Sequence, residues 1–138
     1  MLMNKLLSHS WLAALACLTA CSSMAPYPGQ AIEDDAEQAT NVVVSSPRLH
    51  RDLRFGRASV KRVEGTNQLK VIVPIRNVSD DGLQVRIQVS FTDLEKLPIG
   101  DETNFQVALI GPGETYNHSV TSSTSQARDW ILRVVPNY

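Results

Sequence analysis

The chain has 138 residues, 43% hydrophobic and only 6% aromatic, with 13 basic and 14 acidic side chains and a formal net charge of −1. So near a balance, bulk charge gives no reason for a nucleic-acid partner. The only cysteines, Cys17 and Cys21, lie close together near the start, which leaves no disulfide framework for the rest of the chain.

The first element is MLMNK, with one positive charge at Lys5 and no acid, followed by the apolar run LLSHSWLAALACL and then by the small residues Thr19 and Ala20. Charged, apolar and small-residue regions in that order predict a secretory signal peptide over residues 1–20, a helix removed on maturation. The run is short for a membrane span, which needs about 20 predominantly apolar residues.

At the predicted cut, Leu18-Thr19-Ala20-Cys21 resembles the bacterial lipobox. That resemblance implies cleavage between Ala20 and Cys21, a diacylglyceryl group on the Cys21 thiol and acylation of the new amine. Cys17 then leaves with the signal peptide and Cys21 is blocked, so the mature chain has no thiol for a bridge, a metal or nucleophilic attack. Acyl chains contribute about 0.8 kcal/mol per buried CH₂, so two or three make a stable anchor where one binds only marginally. Ser22 follows the cysteine where lipoproteins kept in the inner membrane carry Asp, which by that resemblance implies the outer membrane; the periplasmic side is the expectation there, with the cell surface as the alternative.

Without Lys5 the mature charge becomes about −2. Residues 21–40, rich in Ser, Ala, Pro and acid, show no apolar periodicity and predict a flexible tether. A coil of about 20 residues spans roughly 25 Å. Its acids Glu33, Asp34, Asp35 and Glu37 would be repelled by anionic head groups.

Residues 41–138 read as strands. Val42–Val44 and the stretch from Leu53 to Val63 supply two less regular ones. Leu69, Val71, Val73 and Ile75 then alternate with Lys70, Ile72, Pro74 and Arg76. Leu83, Val85, Ile87, Val89 and Phe91 alternate with Gln84, Arg86, Gln88, Ser90 and Thr92. Such two-residue periodicity marks strands with one buried and one solvated face. The turn-forming cluster NVSDDG between them predicts a hairpin. Pro74 lacks the N–H a ladder needs, which predicts an edge strand or a bulge. The run Phe105–Ile110 stops at Gly111-Pro112-Gly113, after which Tyr116, His118 and Val120 alternate with polar residues, and Trp130, Leu132 and Val134 mark a last strand. About seven strands in roughly a hundred residues predict an all-β, two-sheet antiparallel sandwich. Helix has room only near Ser125–Arg128 and, more weakly, Asp93–Lys96.

The order of signals from Gly65 to Val135 resembles the YcfL-like family of small envelope lipoproteins, whose function is not established. The resemblance rests on the strand ending in Arg76-Asn77, the strand running into Asp93, the turn Pro112-Gly113-Glu114 and the segment Ala127-Arg128-Asp129-Trp130-Ile131-Leu132-Arg133. The chain departs from the pattern at Phe91, where a Trp is expected, and at Lys96, where a Gly would end the turn. The resemblance implies an immunoglobulin-like sandwich on a lipid anchor and carries no catalytic residues.

No catalytic constellation emerges from the residues themselves, which predicts a non-enzyme without cofactor or metal. His50 has no partner at metal-ligand spacing, and His118 reads as a sheet residue with a hydrogen-bonded ring. Asp80-Asp81 is ordinary turn chemistry, and the sequon Asn77-Val78-Ser79 is uninformative in a bacterial lipoprotein. What stands out is basic: Arg48, Arg51, Arg54, Arg57, Lys61 and Arg62 surround the single acid Asp52. Such a run is usually a solvated face; its functional reading is a docking strip for an acidic envelope protein, for anionic sugars or for the chain's own tether. The leading expectation is a non-catalytic interaction module on an outer-membrane anchor, docking by this strip or by strand addition at the Pro74 edge. The alternatives are an accessory subunit of a secretion or surface-assembly machine, and a ligand carrier or enzyme acting on envelope polymers.

Overall fold

A computed structural model describes residues 26–30, 32 and 41–138. The predicted signal peptide, the cut at Ala20 and Cys21 and most of the tether lie outside the described residues.

Ten strands and one short helix form among the described residues, arranged as two sheets. The first sheet runs from β1 (Tyr27–Pro28) through β2 (Val42–Val44) and β10 (Asp129–Pro136) to β6 (Leu83–Thr92). The far side of β6 is taken first by β8 (Gln106–Ile110) and then by β7 (Pro98–Glu102). In the second sheet β5 (Leu69–Asn77) is central, with β9 (Thr115–Thr121) along one side and β3 (Leu53–Phe55) and β4 (Ser59–Arg62) end to end along the other.

The alternation visible in the sequence sets which side chains meet between the sheets. Leu69, Val71, Val73 and Ile75 of β5 face Leu83, Val85, Ile87, Val89 and Phe91 of β6 across a core completed by Phe55, Ile110, Trp130, Leu132 and Val134. Each such side chain contributes about 1.5–3 kcal/mol on burial, which lets a domain of this size fold without a covalent staple.

Several expectations are corrected. Residues 78–82 do not close a hairpin, because β5 and β6 belong to opposite sheets and the connection crosses between them. Asn77 holds that crossing: fully buried, it donates from Nδ2 to the carbonyls of Asp81 (2.7 Å) and Ile110 (3.0 Å) and accepts at Oδ1 from the amide and hydroxyl of Ser79. Of the two readings of Pro74, the edge fails and the bulge holds, because the registers of β3 and β4 against β5 differ by one residue across it. The Gly56 amide donates to the Pro74 carbonyl at 3.0 Å, so the proline nitrogen points at the gap between β3 and β4, where neither strand is in register to need its missing N–H. Gly56 suits this close approach, since a Cβ would stand 3.2 Å from the Pro74 ring and 3.0 Å from Cδ1 of Ile32, tighter than ordinary contact.

The sheets are not wholly antiparallel, because β2 pairs parallel to β10 with Leu132 opposite Val42. Helix forms at α1 (Pro47–Asp52) rather than at the two predicted sites, where the backbone only turns. Ser46 in extended conformation followed by Pro at the first helical position is a start signal that the basic composition of the segment obscured. Part of the predicted tether is ordered too: Tyr27 and Pro28 pair with Val44 and Val43, and the Ile32 amide donates to the Phe55 carbonyl.

Candidate functional site

The predicted basic strip is divided by the fold. Arg48 and Arg51 lie on α1, Arg54 on β3, Arg57 between β3 and β4, and Lys61 and Arg62 on β4. Arg48 faces Asp52 at 3.5 Å and Asp81 at 3.9 Å, exposed contacts of about 0–1 kcal/mol. Arg62 is structural: Nη2 donates to the Ala127 carbonyl at 2.6 Å and Nη1 to that of Asn67. Arg54 turns its guanidinium back onto the carbonyls of Arg51 and Leu53, both at 2.9 Å.

What register assembles instead is a basic face that linear proximity hides. Arg54 stands directly opposite Arg76, and Lys61 directly opposite Lys70. Like charges in register destabilise a sheet. The four strands of this sheet nonetheless contain no Asp or Glu, while the other sheet carries Asp101, Glu102 and Asp129 in its strands. β9 continues the face with the exposed polar residues Thr115, Asn117, Ser119 and Thr121. Ile72 and Pro74 lie half-buried between the two cationic pairs. Lys70 and Arg76 were missed because they were read only as the polar phase of β5, and cross-strand register is not visible from one strand.

His118 lies opposite Val73 on the buried face of β9, 1% exposed. Its predicted ring hydrogen bond is not formed at Nε2, which has no partner among the described residues. Burial lowers its pKa from 6.5, so the ring is neutral at pH 7. The Tyr116 ring lies 6.2 Å away. No group of three potential metal ligands occurs among the described residues. No described helix is long and apolar enough to cross a membrane.

A cleft of about 260 Å³ opens on the outer side of the β6 sheet, between Ile131 and Arg133 of β10, Ser90 and Thr92 of β6 and the turn that carries Lys96. Neither His118 nor Asp80-Asp81 lines it. That turn is closed by Asp93, whose Oδ1 accepts the amides of Glu95 and Leu97, both at 2.9 Å. Lys96 takes a positive φ of 63° there, a backbone conformation that favours Gly.

Neither the family models nor the curated proteins contain a match to this chain. Two solved structures share its fold. One is the Campylobacter jejuni protein cj0090, with a TM-score of 0.58 at 18% identity over 70% of this chain and 98% of that one. The other is a DUF1425 family member from Shewanella sp. pv-4, with a TM-score of 0.56 at 13% identity over 62% and 79%. At these identities the likeness is one of fold: the chain is a β-sandwich of a kind found in small bacterial proteins.

Proposed function

We propose that this protein is a non-catalytic interaction module, anchored by lipid at Cys21 to the bacterial outer membrane, that docks an acidic envelope protein onto the outer face of its β5 sheet in the periplasm. One observation carries the reading: Arg54 opposite Arg76 and Lys61 opposite Lys70, in a sheet whose strands hold no acid. Two like-charge pairs are a cost to folding that a partner's carboxylates would relieve. The lipobox Leu18-Thr19-Ala20-Cys21 supports the anchor, and the bacterial origin of both structural neighbours fits an envelope lipoprotein of the YcfL-like kind.

The test separates binding from folding. Lys70→Glu and Arg76→Glu each turn a like-charge pair into an opposite-charge pair, so the doubly substituted domain should be more stable by about 0.2–1 kcal/mol per pair. Crosslinking in living cells, followed by affinity capture, should then show the partner lost despite the stabler domain. Its recovery from the wild type should fall as salt rises. A partner captured equally by wild type and the Lys70→Glu/Arg76→Glu chain would refute the basic-face reading. Substituting Arg48, Arg51, Arg54 and Arg57 by Ala asks the same of the strip as the sequence presents it.

A further inference from the structure

We infer that β8 is a self-pairing edge through which two copies of this chain join the β6 sheet into one continuous sheet. β8 hydrogen-bonds on one side to β6, and no described strand takes its other side. The amide of Asn137 donates to the carbonyl of Gln84, which fixes the alternation along β6: Gln84 and Arg86 point toward β10, and Leu83, Val85 and Ile87 toward β8. Ile110, Ala108 and Gln106 therefore bond to β6, and the main-chain groups of Val107 and Leu109 face the open edge.

The same residues carry the exposed apolar side chains. Phe105, Val107 and Leu109 are 41%, 56% and 72% exposed, and Arg86 lies over the Phe105 ring at 5.5 Å to its centroid. Edge strands are normally protected by charge, proline or a bulge. β9 shows polar Thr, Asn and Ser, and β7 ends in Asp101 and Glu102, but QVALI of β8 has no such device.

The pattern is self-complementary. An antiparallel partner centred on Val107 sets Val107 against its own copy and Phe105 against Leu109, in both directions, so three apolar pairs run along one solvent face. No charge on the strand opposes its own copy, which favours a second copy over a charged foreign strand. The side chains covered amount to on the order of 300 Å² per chain, below the roughly 800 Å² per partner of a stable dimer. The pair is therefore weak in dilute solution and forms where copies are concentrated. It leaves both basic faces free and makes the assembly bivalent.

The test is thiol crosslinking of the full chain in cells with a short bismaleimide, against wild type as the control for Cys17 and Cys21. Val107→Cys should give a crosslinked dimer, and Ser119→Cys on the exposed β9 edge should not. Adding Leu109→Lys to Val107→Cys should abolish the dimer while far-UV circular dichroism and thermal unfolding stay unchanged. Equal dimer from Val107→Cys and Ser119→Cys, or dimer that survives Leu109→Lys, would overturn the inference.

Discussion

Replacing Asn77 by Ala removes two donated and two accepted hydrogen bonds from a side chain with no solvent exposure. The Ile110 carbonyl loses a donor inside the core, a loss of about 1–3 kcal/mol for a buried group left short of partners. The carbonyl of Asp81, an exposed residue, can recruit water, which limits that loss to about 1 kcal/mol. Release of Ser79 adds a similar amount, so Asn77→Ala should destabilise the domain by about 3–5 kcal/mol. With a urea slope of about 1–3 kcal/mol/M, the unfolding midpoint should move down by about 2 M. Ser79→Ala should cost about 1 kcal/mol, and Asn77→Leu should not rescue, because the Ile110 carbonyl still loses its side-chain donor and keeps only its β6 partner. Since Asn77 is the side-chain link from the end of β5 to the end of β8, amide exchange at Ala108 and Ile110 should accelerate more than at Val73. An Asn77→Ala unfolding free energy within about 0.5 kcal/mol of wild type would refute the assignment of Asn77 as the tie across the crossing.

Three further predictions follow from buried or strained positions. His118 has a lowered pKa when folded, so stability should be constant above its ordinary value of 6.5. Below 6.5 the unfolded chain takes up the proton first, so stability should fall with pH until the folded ring also titrates, and then level off; His118→Leu should flatten that slope in urea titrations across pH. Asp101 accepts the amides of Ser123 at 2.9 Å and Thr124 at 3.3 Å, so Asp101→Ala should cost about 2–3 kcal/mol by thermal unfolding and loosen the loop before β10. Lys96→Gly should raise stability by up to about 1 kcal/mol, because it removes the side chain's penalty at φ 63°; a loss of that size would instead show that the 3.9 Å contact to Asp129 matters more than the backbone.

The inward-facing phases of β5, β6, β9 and β10 were legible because burial on one face writes a two-residue period into each strand. Partnership between strands was not, since that information lies in register and in which sheet a strand joins. The turn before Leu83 shows the difference: NVSDDG announces a change of direction, but whether it closes a hairpin or crosses the core depends on Asn77 reaching Ile110, 33 residues away. Pro74 left two readings open for a related reason, because one missing donor can be met by an edge or by an irregularity in the neighbouring strand, and the registers show the second. The candidate site was half visible. Arg54 and Lys61 stood out in the basic run, but their opposing cations Arg76 and Lys70 became partners only through the fold.

The parallel pairing of β2 with β10 has a kinetic consequence. Asn41 reaches Asp129 across 88 residues, and the Asn41 carbonyl accepts the amide of Leu132. A chain growing from its N-terminus therefore makes β2 long before the strand that holds it exists, and topologies dominated by such distant contacts fold on millisecond to second timescales. Any chain cut short before Asp129 lacks the strand that bridges β2 to β6, so β2 and the longest strand, β6, each keep an open side. The pairing that completes this edge of the sheet therefore waits for the last strand of the chain.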